Sequence, residues 1–202
     1  KNGTCKHTEG FEQAHLILSK KMNNGEIVMQ PEDFKTIVKS TNGNIDQALL
    51  CVANAVAYNK DRKAKYGPSP SAGHTVISGY PVGACVLGIS GKVYLAANFE
   101  FFAPLSNTIH GEQCAIMNAA VNNEKEVRKL AVNAAPCGVC RQYLVEVGLP
   151  YNLDIIFCSN NGDFISQKLS DLIPESFGPI NLGVKSDVFN NKVTIIATKY
   201  YI

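Results

Sequence analysis

Apolar positions fall at helical spacing through the first third of the chain and give way to strand–helix alternation beyond it. Phe11, Ala14, Leu18 and Met22 share one helical face. Pro31 followed by Glu32 and Asp33 marks a second helix start, because proline lacks an amide that a first turn leaves unpaired anyway. Asn44, with Gln47 three residues on, caps a third helix carrying Leu49, Val52, Ala53 and Val56. Residues 61–73, DRKAKYGPSPSAG, read as a linker. VGACVLGI (82–89) and KVYLAA (92–97) flank Ser90-Gly91 as a hairpin. A helix is expected from about Ile109 to Val121, capped by Thr108. LAVNAA (130–135) reads as a buried strand, CGVCRQYLVEV (137–147) as a helix entered through Pro136, and LDIIFC (153–158) as another strand. Asn161-Gly162 marks a turn into 163–165, and KVTIIAT (192–198) a last strand. This order predicts a layered α/β fold whose sheet opens with a hairpin. A helical extension and linker are expected over 1–73 and the main domain over 74–202.

Composition narrows the class. The 202 residues are 46% hydrophobic and 18% charged, enough for one well-buried domain. A net charge of +2 does not call for a polyanionic partner, and the local cluster Lys60, Arg62, Lys63 and Lys65 reads as a solvated loop. No apolar run reaches the length of a membrane helix, and no secretory leader is evident. The chain begins at Lys1, so a trimmed or processed N-terminus is allowed for; Asn2-Gly3-Thr4 is a glycosylation tripeptide of a kind common by chance. Seven cysteines, an odd number, argue against a complete disulfide framework and for a reducing, cytoplasmic setting. Cys5, Cys51, Cys85, Cys114 and Cys158 read as small hydrophobes.

The remaining pair, Cys137 and Cys140, has metal-ligand spacing. Both fall in the first turn of an expected helix, while His110 opens another. Two helix N-termini meeting at one point can place three ligands around a tetrahedral ion and leave a fourth position open, the catalytic form of a zinc site. Two thiolates balance Zn²⁺, and the partial positive charge of the helix ends favours them. Glu112 lies two residues from His110, off its helix face, and is better placed to move protons than to bind metal. A lone C-x-x-C is often a redox pair or half a structural knuckle, and a lone H-x-E says little. Together, with Pro136 before the first cysteine, they match the H-x-E…P-C-x-x-C signature of zinc deaminases.

From about Ser78 to Gly183 the chain resembles cytidine deaminases. Tyr80-Pro81-Val82-Gly83-Ala84 is similar to a family segment whose aromatic residue, usually Phe, lines the base pocket. Asn98-Phe99-Glu100 resembles the family's N-x-E, whose side chains hold the sugar hydroxyls; by themselves, Asn98 could equally end a strand and Glu100 be a surface charge. Gly111, where the family usually has Ala, and Ala135 match positions whose backbones face the pyrimidine and its amino group. The resemblance implies a three-layer α/β/α cytidine-deaminase-like sandwich with a central mixed sheet, preceded by a helical N-terminal segment. It also implies Zn²⁺ on His110, Cys137 and Cys140, Glu112 as the proton carrier, and a homo-oligomer. The His ligand, Phe177-Gly178-Pro179 and Leu182-Gly183 resemble the homodimeric, two-domain branch, and a homodimer is the expected form. In that branch a second, zinc-free copy of the domain follows, for which about twenty residues remain here. The compact branch lacks that copy and uses three cysteines.

The expected function is hydrolytic deamination of cytidine or deoxycytidine to uridine or deoxyuridine and ammonia through a zinc-activated water. The expected partner is a small nucleoside, with no nucleic acid and no membrane. Two alternatives are a deaminase of single-stranded polynucleotides, which needs a basic, aromatic-studded channel, and a non-catalytic zinc-stabilised scaffold.

Overall fold

The structure, a computed structural model, describes residues 9–58, 75–101, 108–147, 152–189 and 192–195. The expected linker at 61–73, the Lys60–Lys65 cluster, the Asn2-Gly3-Thr4 tripeptide, Cys5 and the end of the 192–198 strand lie outside them. The N-terminal elements are α1 (Glu9–Asn23), a two-residue strand β1 (Val28–Met29), α2 (Pro31–Ser40) and α3 (Ile45–Ala57). The hairpin β2 (Gly83–Gly88) and β3 (Val93–Ala97) follows, then α4 (Gly111–Val121), β4 (Val127–Val132), α5 (Gly138–Glu146), β5 (Asp154–Cys158), β6 (Phe164–Lys168) and the short α6 (Leu169–Leu172). A 3₁₀ turn at Pro179–Leu182 precedes the ribbon β7 (Val184–Asp187) and β8 (Lys192–Ile195). Among the described residues no helix is long and apolar enough to cross a membrane.

Six strands form one mixed sheet in the order β1-β3-β2-β4-β5-β6, with β4 and β5 its parallel pair. Alternation splits the strand side chains between two faces. Cys85, Val93, Leu95, Ala131 and Ile156 pack with α1, α2 and α3, whereas Ala84, Val86, Tyr94, Leu130, Val132, Ile155 and Phe157 pack with α4 and α5. The result is the three-layer α/β/α sandwich expected. α3 is covered on every side, by the sheet and by α1, and every residue from Ala48 to Ala57 is buried, as its all-round apolar sequence requires. Its start is the expected one: Asn44 Oδ1 accepts the Gln47 amide at 2.9 Å.

Some boundaries differ. The β4 strand spans 127–132 rather than 130–135, because Lys129 enters the sheet paired with Asp46 and Asp154, both at 2.8 Å. The N-cap of α4 is His110, not Thr108, and that of α5 is Cys137, with Pro136 just ahead of it.

One topological fact positions everything that follows. β3 and β4 are both antiparallel to the intervening β2, so they run in the same direction. The chain therefore leaves both at the same end of the sheet, and the helices that follow them, α4 and α5, begin there side by side. Residues 80–82 enter β2 at that same edge, where strands end and ligand sites of α/β folds form.

Candidate active site

A cavity of about 390 Å³ opens at this end of the sheet. Eight of the nine residues singled out from the sequence line it: Tyr80, Asn98, Glu100, His110, Gly111, Glu112, Ala135 and Cys137. The ninth, Cys140, joins His110 and Cys137 in a cluster whose ligand atoms all lie within 4.8 Å of one another.

His110 and Cys137 are each the N-cap of their helix, with extended backbone at φ −80°, ψ 152° and φ −71°, ψ 168°. The His110 amide donates to Gln113 Oε1 at 3.0 Å, half of a capping box that fixes where α4 begins. His110 Nδ1 and Cys137 Sγ are 3.5 Å apart. Zinc bonds of about 2.0–2.1 Å to nitrogen and 2.3 Å to sulfur, at a tetrahedral angle, would set the two atoms about 3.5–3.6 Å apart. The donor set fits too, since two sulfurs and an imidazole suit zinc better than a hard cation.

Cys140 is fully buried on the first turn of α5. Burial first, then the neighbouring Glu112 and Cys137, push its thiol well above the ordinary range. A divalent cation would offset that penalty on the thiolate. Glu112, the second residue of α4, is 3% exposed, beside the three ligands without being one of the cluster. Arg141 Nε holds the Pro136 carbonyl at 2.9 Å and its Nη1 holds the Leu172 carbonyl at 2.9 Å, so the turn into Cys137 is anchored from behind.

The opposite wall is built from 75–82 and the end of β3. Glu100 is 3% exposed, so it is no surface charge. Its carboxylate accepts the Ile77 and Ser78 amides at 2.8 and 3.0 Å and the Ser78 hydroxyl. Asn98 directly follows β3 and holds the segment that carries Tyr80. Its Oδ1 accepts the Val82 amide at 2.9 Å, and its Nδ2 donates to the Tyr80 carbonyl at 3.1 Å. Tyr80 itself is 56% exposed. Gly111 sits against Val82 and Ala84 with room for ordinary contact.

Ser78, Val82, Thr108, Val132 and Ala134 also line the cavity and were not singled out from the sequence. Ser78 carries the one legible signal, a hydroxyl two residues before the aromatic wall. Among the described lining residues there is no Lys or Arg.

Comparison with known proteins agrees with this geometry. Residues 70–153 match the cytidine and deoxycytidylate deaminase zinc-binding region. A cytidine deaminase of Vibrio cholerae serotype O1 is 34% identical over 176 residues, 87% of this chain and 53% of that protein. One from Sodalis glossinidius is 42% identical over 113 residues, 55% of this chain and 35% of that protein. The chain thus spans about half the length, or less, of these relatives. The crystal structure of a Burkholderia pseudomallei cytidine deaminase superposes with a TM-score of 0.52 at 26% identity, covering 64% of this chain and 97% of that one. The three-layer fold, the His110–Cys137–Cys140 cluster and the match over residues 70–153 all point to one likeness, to the zinc-binding domain of cytidine deaminases.

Proposed function

We propose that the chain deaminates cytidine or deoxycytidine hydrolytically, releasing ammonia and the corresponding uracil nucleoside. The observation that carries this reading is the meeting of His110, Cys137 and the buried Glu112 on one wall of a cavity, with Cys140 buried beside them and no cationic lining among the described residues. Glu100 and Glu112 make that lining acidic, which suits an uncharged nucleoside better than a nucleotide. The similar proteins of Vibrio cholerae and Sodalis glossinidius are cytidine deaminases, which points the same way.

His110, Cys137 and Cys140 would hold the zinc, which supplies a Lewis acid that makes water a nucleophile near neutral pH. Glu112 takes a proton from the attacking water, delivers it to the ring nitrogen N3, and passes the next to the departing amino group. The C4–O bond forms, the C4–N bond breaks, and water is consumed as ammonia leaves. Tyr80 walls the base, Gly111 offers its backbone to the pyrimidine, and Ala135 offers its carbonyl to the amino group. Asn98, with half of its amide committed to residues 80 and 82, keeps one N–H and one lone pair for a sugar hydroxyl, beside Glu100.

A homo-oligomer, in its expected form a homodimer, belongs to the same proposal. Met117, Val121 and Val139 are apolar yet more than half exposed on α4 and α5, where a second copy would cover them; light scattering decides it. A cytoplasmic location, which suits thiolate ligands, also belongs to it.

The test is product analysis. Zinc-loaded protein incubated with cytidine should yield uridine and ammonia in equal amounts. Unchanged cytidine and deoxycytidine across a broad pH range would leave a zinc-stabilised scaffold as the better reading.

A further inference from the structure

β2 is flanked by two strands that end alike: Leu95-Ala96-Ala97-Asn98 at the end of β3 and Leu130-Ala131-Val132-Asn133 at the end of β4. Beyond these ends the side chains of Asn98 and Asn133 continue the hydrogen bonding that the ladder leaves off. Asn98 takes the Val82 amide and the Tyr80 carbonyl. Asn133 takes the next pair along: its Oδ1 accepts the Gly83 amide at 2.9 Å, and its Nδ2 donates to the Pro81 carbonyl at 3.1 Å. The backbones follow suit, with the Asn98 amide on the Val82 carbonyl at 3.0 Å and the Asn133 amide on the Gly83 carbonyl at 3.1 Å. The Tyr80 amide goes to Ser78 Oγ at 3.0 Å, and Pro81 has no amide to place. Every backbone polar group from Tyr80 to Gly83 is therefore satisfied, and two asparagines supply the bonds on opposite sides.

Asn133 is 8% exposed and is absent from the cavity lining. It stands between two parts of the site. Ahead of it in space lies the Tyr80–Gly83 segment; after it in sequence come the lining residues Ala134, Ala135 and Cys137. We propose that Asn133 is a positioning residue that sets the aromatic wall at Tyr80 against the Ala134–Ala135 wall, and so fixes the width of the base slot. This rests on the deaminase reading given above. Neither the metal cluster nor Glu112 hangs on Asn133. The turn at Pro136 is tied separately by Arg141, and α4 by its own capping bond. Loss of the Asn133 bonds should therefore weaken binding of ground state and transition state alike, which raises KM and spares kcat.

Asn133→Ala in the zinc-loaded protein tests this by steady-state kinetics on cytidine, with zinc content measured on the same sample. The expected result is KM up by about tenfold, kcat within about threefold of the parent, and unchanged zinc. Asn133→Asp keeps the acceptor for the Gly83 amide but loses the donor to Pro81, so its KM should fall between the two; it decides the matter if the alanine variant does not fold. KM and kcat both within twofold of the parent in both variants would overturn the positioning role, as would a fall in kcat with loss of zinc and an unmoved KM. A parent protein that leaves cytidine untouched overturns the deaminase reading and this role with it, a result distinct from an active parent with an indifferent Asn133.

Discussion

His110 Nδ1 and Cys137 Sγ stand 3.5 Å apart, each on the capping residue of a different helix. That separation would suit two ligands of one zinc ion, and Cys140, in the same cluster, would supply a third. Removing any one ligand should empty the site. Cys140→Ser and His110→Ala are expected to lower zinc from about one ion per chain to near none by elemental analysis. Full zinc occupancy in both variants would mean that the metal is held elsewhere.

Glu112 should separate metal binding from chemistry. In Glu112→Gln zinc is retained, while kcat on cytidine falls by about 10²–10⁴-fold, the range for loss of a general acid–base. Parental turnover in that variant would remove Glu112 from the mechanism.

The same acidic cavity should discriminate against a phosphate. With Glu100 and Glu112 in the lining and no described cation beside them, deoxycytidylate should be processed with kcat/KM about a hundredfold below deoxycytidine. Equal efficiency on the two would contradict the charge argument.

One buried carboxylate predicts an acid limb in the stability of the protein. Glu124 is 3% exposed and accepts hydrogen bonds from Ser90, from Tyr94 Oη at 2.9 Å and from the Lys125 amide at 2.8 Å. Burial alone would raise its carboxyl, but the bonds from Ser90, the Lys125 amide and Tyr94 outweigh it and hold the group below its ordinary 4.5. A carboxyl lowered on folding stabilises the protein above the unfolded value and loses that contribution as pH falls through the folded one. Thermal unfolding followed downward from about pH 6 should show Tm falling below about pH 5. Glu124→Gln should cost about 1–3 kcal/mol near neutrality and flatten that slope. An unchanged slope would place the acid sensitivity elsewhere.

Two glycines beside the site should behave oppositely. A methyl group at Gly111 would lie 3.4 Å from Ala84 Cβ and from Val82 Cγ1, so Gly111→Ala should change stability by no more than about 1 kcal/mol. At Gly83 the same group would run into the Ala53 carbonyl and the Ala57 amide of α3, backbone that cannot yield cheaply. Gly83→Ala should cost about 2 kcal/mol or more in denaturant unfolding. Equal costs would mean that α3 moves aside.

The metal cluster and its helices are legible in the sequence because they depend on local spacing. His110, Cys137 and Cys140 each sit within a turn of a helix start, and such positions show as motif and cap. What local pattern cannot show is a strand held by distant partners. β1, two residues long, has no period to detect and exists because Val28 and Met29 pair with Tyr94 and Val93. β4 begins earlier than its apolar run because Asp46 and Asp154 neutralise Lys129. It ends earlier because Asn133 takes over the ladder with its side chain, which frees Ala134 and Ala135 to line the cavity. The same effect explains Asn98, which ends its strand and lines the cavity at once. Glu100, which its isolated sequence context left open, is no surface charge because tertiary hydrogen bonds from Ile77 and Ser78 hold it inside.

The most direct measurement is the ultraviolet absorbance of cytidine on addition of the protein, with and without a zinc chelator. The account predicts a steady loss of cytidine absorbance as uridine forms, abolished by the chelator and restored by added zinc. Cytidine left unchanged by fully zinc-loaded protein, or a loss of absorbance indifferent to the chelator with the metal demonstrably gone, would contradict it.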